Sequence, residues 1–318
     1  MMGYHRSGSR LTSGFSGRAA VHLSRSSAIL YCSGSGRVQC QPHAAEPSRW
    51  AAEPSFFPEV HIARPVPVRR PFLTAEWRHL LMLNYEVDPA LLRPLVPAGT
   101  ELDFWQGRAL VSIVAFRFLD TRLWGVPIPL HRNFDEINLR FYVRRRSEGT
   151  WRRAVVFIRE AVPRLAIAAV ARLAYNEPYV ALPMRHEIRM AGARSGEPGL
   201  VRYQWRQGRW YTAEAQTVGP AQPLGAGSEE EFITEHYWGY TSQRDGGCLE
   251  YQVEHPRWRI WQVSESRLDC DVERMYGGEY AEALRGRPCS AFVAEGSPIA
   301  VYRGVRLARE ERSSVNLV

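Results

Sequence analysis

The chain has 318 residues, of which 45% are apolar and 23% charged, enough to bury a sizeable core. All 41 basic residues are arginine, and without lysine there is no side-chain Schiff base, no anchor for pyridoxal phosphate and no Walker-A site. Of the net charge of +8, residues 1–71 carry +6, with nine Arg against Glu46, Glu53 and Glu59; the body is near neutral, which argues against a nucleic-acid surface.

No apolar run reaches about 18 residues, so no membrane-spanning helix is expected. Cys32, Cys40, Cys248, Cys270 and Cys289 are odd in number and contain no CxxC pair. That pattern suits neither a disulfide framework nor a zinc site and points to a reducing, cytoplasmic setting.

Residues 1–45 contain nine Ser, six Gly and no acid, a composition expected to stay disordered, and residues 46–70 read as a Pro-rich linker. The extension is read first as a start assigned too far upstream, with a true start near Val60 or Val66, and second as a transit peptide. A folded domain is expected over 71–307 and a loose tail over 308–318.

Within the domain, Trp77–Tyr85 is an apolar run suited to a buried strand. Asp88-Pro89 opens a helix, with Leu91, Leu92 and Leu95 on one face, and Pro97-Ala98-Gly99 ends it. Leu102–Trp105 and Ala109–Leu119 read as strands. Asn138–Arg144 alternates, with Leu139, Phe141 and Val143 on one face and Asn138, Arg140 and Tyr142 on the other. Arg153–Glu160 completes a hairpin across an Arg-rich turn that reads as solvated. Residues 163–175 suit a short buried helix.

Strands are expected from Ala181 to about Val218. A capping box, Ser228 with Glu231, starts a helix expected to reach Tyr240. Leu249–Val253 and Arg257–Val263 read as strands, 269–284 as a helix, and Ser290–Tyr302 as one or two closing strands. Many strands with a few short helices make an α+β fold dominated by antiparallel sheet.

The chemistry is sought among polar groups set in apolar segments, because a buried charge costs several kcal/mol unless it is paired or functional. Arg140, Tyr142, Glu160, Arg172, Glu177, Tyr179 and His236 are the candidate ligand-binding residues, with Glu160 and Glu177 as candidate acid–base groups. On the helix reading, His236 and Tyr240 share a face with Phe232. A structural Arg–Glu network tying hairpin to helix is the alternative for Arg140, Glu160, Arg172 and Glu177. No hydrolase elbow or HExxH motif occurs, and no cofactor or metal is expected; His131 with Asp135 and Glu136 is one loose metal grouping.

Taken together, VDPALLRPLVPAGTELD, GRALVSIVAFRF, NLRFYV, the run from FIREAVPRL to LPMRH, EEFITEHYWGYT and VEHPRW resemble the YqjF-like proteins over about 72–305, a family named only as a domain of unknown function. The resemblance implies the acetoacetate-decarboxylase-like fold: a cone-shaped antiparallel β-barrel with helices outside and a central cavity. It implies no transferable catalytic residue, since the decarboxylase relies on a pocket lysine. The leading functional reading is a pocket for a small organic acid or carbonyl metabolite, with acid–base lyase-like or hydrolytic chemistry if it turns over. The alternative is a non-catalytic interaction or scaffold domain, marked by Trp205, Trp210 and Trp258 in one exposed patch. A homo-oligomer is left open.

Overall fold

A computed structural model describes residues 69–164, 176–191 and 197–307. Residues 1–68 of the expected extension over 1–70, residues 165–175 of the expected helix over 163–175 and the tail over 308–318 lie outside the described residues. Pro65–Val318 is one of two units into which the chain divides.

Fifteen strands join in one sheet. They are β1 Leu73–Val87, β2 Glu101–Leu102, β3 Ala109–Leu123, β4 Val126–Pro127, β5 Phe134–Ser147, β6 Thr150–Val162, β7 Tyr179–Ala181, β8 Met184–Arg189, β9 Gly199–Gln207, β10 Arg209–Pro223, β11 Trp238–Ser242, β12 Cys248–Glu254, β13 Arg259–Asp269, β14 Ser290–Val301 and β15 Val305–Leu307. Their order is β15-β12-β11-β6-β5-β3-β1-β14-β13-β10-β9-β8. Because β12 also pairs with β14, through Val253↔Val301 and Glu254↔Ala300, the strands β14-β1-β3-β5-β6-β11-β12 close into a ring. Closure removes two sheet edges that would otherwise need protection.

The pleat divides the core in two. On β5, Leu139, Phe141 and Val143 face outward, as their alternation predicts. They join Leu81, Leu83, Val111 and Ile113 under the arm β13-β10-β9-β8, where Val201, Tyr203, Trp205 and Ala213 cover them. The alternate residues Met82, Val114, Phe116, Phe118 and Tyr142 face the inside of the ring.

Three local expectations change. Ser228 caps a helix as expected, its Oγ accepting from Glu231 N at 3.1 Å, but that helix covers only Glu229–Thr234. The next residues form β11 between β6 and β12, where pairing overrides the helical pattern. Tyr240 therefore leaves the face of Phe232 and His236; it lies in the outer core and donates to Glu250 Oε2 at 2.7 Å. The expected helix over 269–284 is broken. Val272–Met275 forms one turn capped by Asp271, Gly277 follows at φ +116°, and Ala281–Arg285 resumes. After Pro89–Leu92, these helices are short, and no helix among the described residues is long and apolar enough to cross a membrane.

Substituting Ser228→Ala removes the acceptor for Glu231 N and is expected to cost about 1 kcal/mol. Urea denaturation reads this as a lower midpoint at constant slope.

The Arg-rich hairpin tip is ion-paired. Arg144 meets Glu101 at 2.7 Å and stacks on Trp151, Arg152 meets Glu250 at 2.6 Å, and Arg153 meets Asp103 at 2.7 Å.

Candidate functional site

Inside the ring lies a cavity of about 290 Å³ with a mostly aromatic and aliphatic lining, at the small end of the range for small-molecule sites. Half-buried Phe72, Ile128 and His131 line its outer end. Its buried end holds three glutamates, Glu136, Glu160 and Glu177.

Each glutamate reaches the cavity by a different device. Glu136, Asn138 and Arg140 occupy alternate positions on β5 and so share its inward face. Glu160 is turned inward by a bulge. The β5–β6 register pairs Leu139 with Arg159 but Arg140 with Phe157, which leaves Ile158 extra. With that residue inserted, Val155, Phe157 and Glu160 all line the cavity, where strict alternation would have placed Arg159 instead. Glu177 lies just before β7, whose Tyr179 pairs in parallel with Glu160.

The hydrogen bonds are unevenly shared. Glu136 accepts from Asn138 Nδ2 at 3.0 Å and from the Tyr179 hydroxyl at 3.2 Å. Glu177 accepts from the Tyr251 hydroxyl at 2.7 Å. Glu160 is only 1% exposed, and its Oε2 has no partner. Arg140 is the one arginine in the lining among the described residues. It donates to Ile233 O at 3.2 Å, makes no ion pair with the three glutamates, and leaves its Nε unpartnered.

Burial sets the protonation. It pushes Glu136 up to about 7, helped by the charge of Glu177 and opposed by Asn138 and Tyr179. It pushes Glu177 up to about 7 against the Tyr251 and Thr241 hydrogen bonds. Glu160 rises well above the usual carboxylate range, through burial and then the charges of Glu177 and Glu136. Burial also drives His236 down to about 4, so it is neutral; its Nε2 is 3.8 Å from Asp103 Oδ2. Such a cluster holds and exchanges protons near neutral pH, the property required of a general acid–base group.

Five expected site residues therefore line one cavity: Arg140, Glu160, Glu177, Tyr179 and His236. Tyr142 stands one layer back. Its ring packs on His236 at 4.7 Å, and its hydroxyl lies 2.6 Å from Ser112 Oγ. Arg172 lies outside the described residues. Of the alternative Arg–Glu network, the described part shows no pairing: Arg140 pairs with neither Glu160 nor Glu177.

Glu136, Asn138 and Tyr251 were not among the expected residues. Glu136 was legible by extending the β5 alternation one step toward the N-terminus. The loose metal grouping is not assembled: Asp135 points away from Glu136 and binds His186 Nδ1 at 2.9 Å on the outer side, and no His, Cys, Asp and Glu group among the described residues is placed to hold a metal. The marker of the scaffold alternative is also missing. Trp205 and Trp258 are buried, and Trp210 is half-buried beneath Arg185.

A closed ring, an outer arm of strands and a cavity with buried acids define an acetoacetate-decarboxylase-like fold. The chain superposes on an acetoacetate decarboxylase-like enzyme from Sphingomonas wittichii RW1 with a TM-score of 0.54 at 14% identity, covering 79% of this chain and 98% of that one. It matches the enduracididine biosynthesis enzyme MppR complexed with pyruvate with a TM-score of 0.51 at 12% identity, covering 75% and 91%. At these identities the likeness shows the fold alone. Residues 74–298 match DUF2071, described as an uncharacterised conserved protein, and this chain belongs to that family. It is 30% identical over 204 residues to the uncharacterised protein YqjF of Bacillus subtilis (strain 168), covering 62% of this chain and 76% of that one.

Proposed function

We propose that this protein binds a small metabolite with a mostly apolar body in the ring cavity, and that Glu160 acts on the ligand's polar end as a general acid–base group. The observation that carries this reading is the unpartnered, fully buried Oε2 of Glu160 beside open volume. A buried acceptor left without a donor costs about 1–3 kcal/mol, and a ligand group would supply the missing partner.

The chemistry this site supports is proton transfer of a lyase-like or hydrolytic kind, without a Schiff base because the chain has no lysine. Of the two ligand types expected from the sequence, an organic acid fits less well than a carbonyl compound, because a carboxylate would face three acids and, among the described residues, a single arginine. Cytoplasmic residence is part of the same proposal.

The test is a thermal-shift screen of the full chain against small ketones, carboxylic acids and amines. A ligand at about 100 times its Kd stabilises by about 2.7 kcal/mol, which raises the melting temperature by several degrees. The shift is expected to vanish in Val155→Phe, which fills the cavity from β6, and to fall in Glu160→Gln. Shifts of equal size in wild type and Val155→Phe would place binding elsewhere and overturn the reading.

A further inference from the structure

We infer that the ligand carries a positive charge on the end that meets Glu136, Glu160 and Glu177, as a protonated amine or an amidinium does. This rests on the cavity being a ligand site and deepens that reading by naming the ligand's charge.

The argument begins with charge balance. Three glutamates share the buried end of the cavity, and Arg140 is the only arginine lining it among the described residues. Arg140 forms no ion pair with them, although its charge opposes the rise of Glu136; it donates to Ile233 O, leaves its Nε unpartnered, and lies 5.7 Å from the centre of the Tyr142 ring. The lining histidines His236 and His255 do not supply the missing charge, since burial lowers both below the usual imidazole range; His131 lines the outer end of the cavity. Among the described residues the three carboxyl groups therefore have no ion-paired counter-charge, and the balance is made by protons or by a ligand.

The hydrogen bonds favour the ligand. Asn138 Nδ2 and the hydroxyls of Tyr179 and Tyr251 all donate toward carboxyl oxygens. Donors aimed at a carboxyl group favour its ionised form. Glu160 Oε2 and, on the residue paired with it, Asn138 Oδ1 are acceptors left bare in the lining, and together they mark where a cationic donor fits.

The walls agree with this assignment. Trp77, Phe116, Phe118 and Trp258 form one edge-on aromatic group, with Trp77 centred 5.4 Å from Phe116 and 6.3 Å from Trp258. Aromatic faces attract cations and tolerate an apolar body equally well. A carboxylate in the same place would meet three acids and the negative faces of these rings.

A cation entering the cluster displaces protons from it, so binding releases protons to solvent. The groups that face the cluster and set this balance are Arg140 from β5, Tyr179 from β7, His236 after the Glu229–Thr234 helix, Tyr251 from β12 and His255 after β12. Affinity for a cation is therefore expected to rise with pH between about 6 and 8, by up to about tenfold per pH unit for each proton released.

The experiment is isothermal titration of the full chain with benzylamine, benzyl alcohol and benzoate, three probes of one shape and different charge, at pH 6, 7 and 8. Expected is tightest binding of benzylamine, tightening with pH, with a heat that varies with the buffer's ionisation enthalpy because protons are released. Glu160→Gln, which keeps the shape and removes the charge, is expected to lose benzylamine affinity and most of its pH dependence while keeping benzyl alcohol. If benzyl alcohol or benzoate binds wild type as tightly as benzylamine, the cationic assignment falls and the cavity reading stands. If none of the three binds, the cavity reading itself falls.

Discussion

At pH 8.5, Glu177→Gln is expected to melt about 5–10 °C above wild type, with the gap shrinking as the pH falls toward 5. Glu177 is pushed by burial from 4.5 up to about 7. A carboxyl whose pKa is raised by folding contributes its full stability below the unfolded value and loses it as pH rises through the folded value. The window is therefore 4.5 to about 7, and at about 1.4 kcal/mol per pH unit the loss is of the order of 3 kcal/mol. Glutamine has no charge to bury, and its oxygen still accepts from the Tyr251 hydroxyl.

His236 works in the opposite direction. Burial holds it at about 4, so its stabilising contribution is present above 6.5 and is lost as pH falls from 6.5 toward 4. The two effects oppose each other below 6.5, and the carboxyl effect stands alone above it. Glu136→Gln and Glu160→Gln are expected to shift in the same direction. Because the three groups raise one another, their combined effect is less than the sum of the single ones. Melting curves of wild type and variants from pH 5 to 8.5 decide it: a Glu177→Gln protein that melts below wild type at pH 8.5, or a gap that ignores pH, overturns the prediction.

That cost bears on function. Three buried acids with no ion pair among the described residues cost stability at neutral pH, and apolar side chains in their place would cost less. Groups held at such expense support the proposed ligand site. The pairing elsewhere sharpens the contrast. Asp103, Asp135 and Glu250 are also buried, yet each has an arginine at its carboxylate: Arg153 for Asp103, Arg117 for Asp135, Arg152 and Arg145 for Glu250. These acids are paired with arginine, whereas the three cavity glutamates have no ion pair among the described residues.

Much of this was legible in the sequence because most of the strands obey period two. The alternation of Leu139, Phe141 and Val143 against Asn138, Arg140 and Tyr142 gave the two faces of β5, and the inner face carried the site. Two things were not legible. The bulge at Ile158 depends on how β6 pairs with β5, and without it the alternation places Arg159 rather than Glu160 in the cavity. The residues Trp238–Ser242 follow a well-capped helix and carry on its spacing, yet they pair with β6 and β12 and complete the ring. Ring closure itself rests on β12 meeting β14, partners nearly fifty residues apart, and no local pattern encodes such a contact.

Gly239→Ala is expected to destabilise the protein by roughly 2–6 kcal/mol and to weaken ligand binding. Gly239 on β11 sits opposite Tyr251 on β12, and the Tyr251 ring lies across it on the way to Glu177. A Cβ at position 239 would stand 2.2 Å from Tyr251 Cζ and 2.4 Å from its hydroxyl, far inside contact distance, so the ring must swing away. Overpacking of this kind costs about 1–3 kcal/mol, and losing the buried hydrogen bond to Glu177 adds about 1–3 kcal/mol. Glycine is needed here for space, since no positive φ is recorded at this position. A double-mutant cycle separates the steric account from a general strand effect. In a Tyr251→Ala background the clash is gone, so the further change Gly239→Ala is expected to cost under about 1 kcal/mol, and the coupling between the two sites exceeds that. Urea denaturation of the four proteins measures it. Additive costs would mean that Gly239 does not hold Tyr251 in place, and the account of how Glu177 keeps its donor would fail with it.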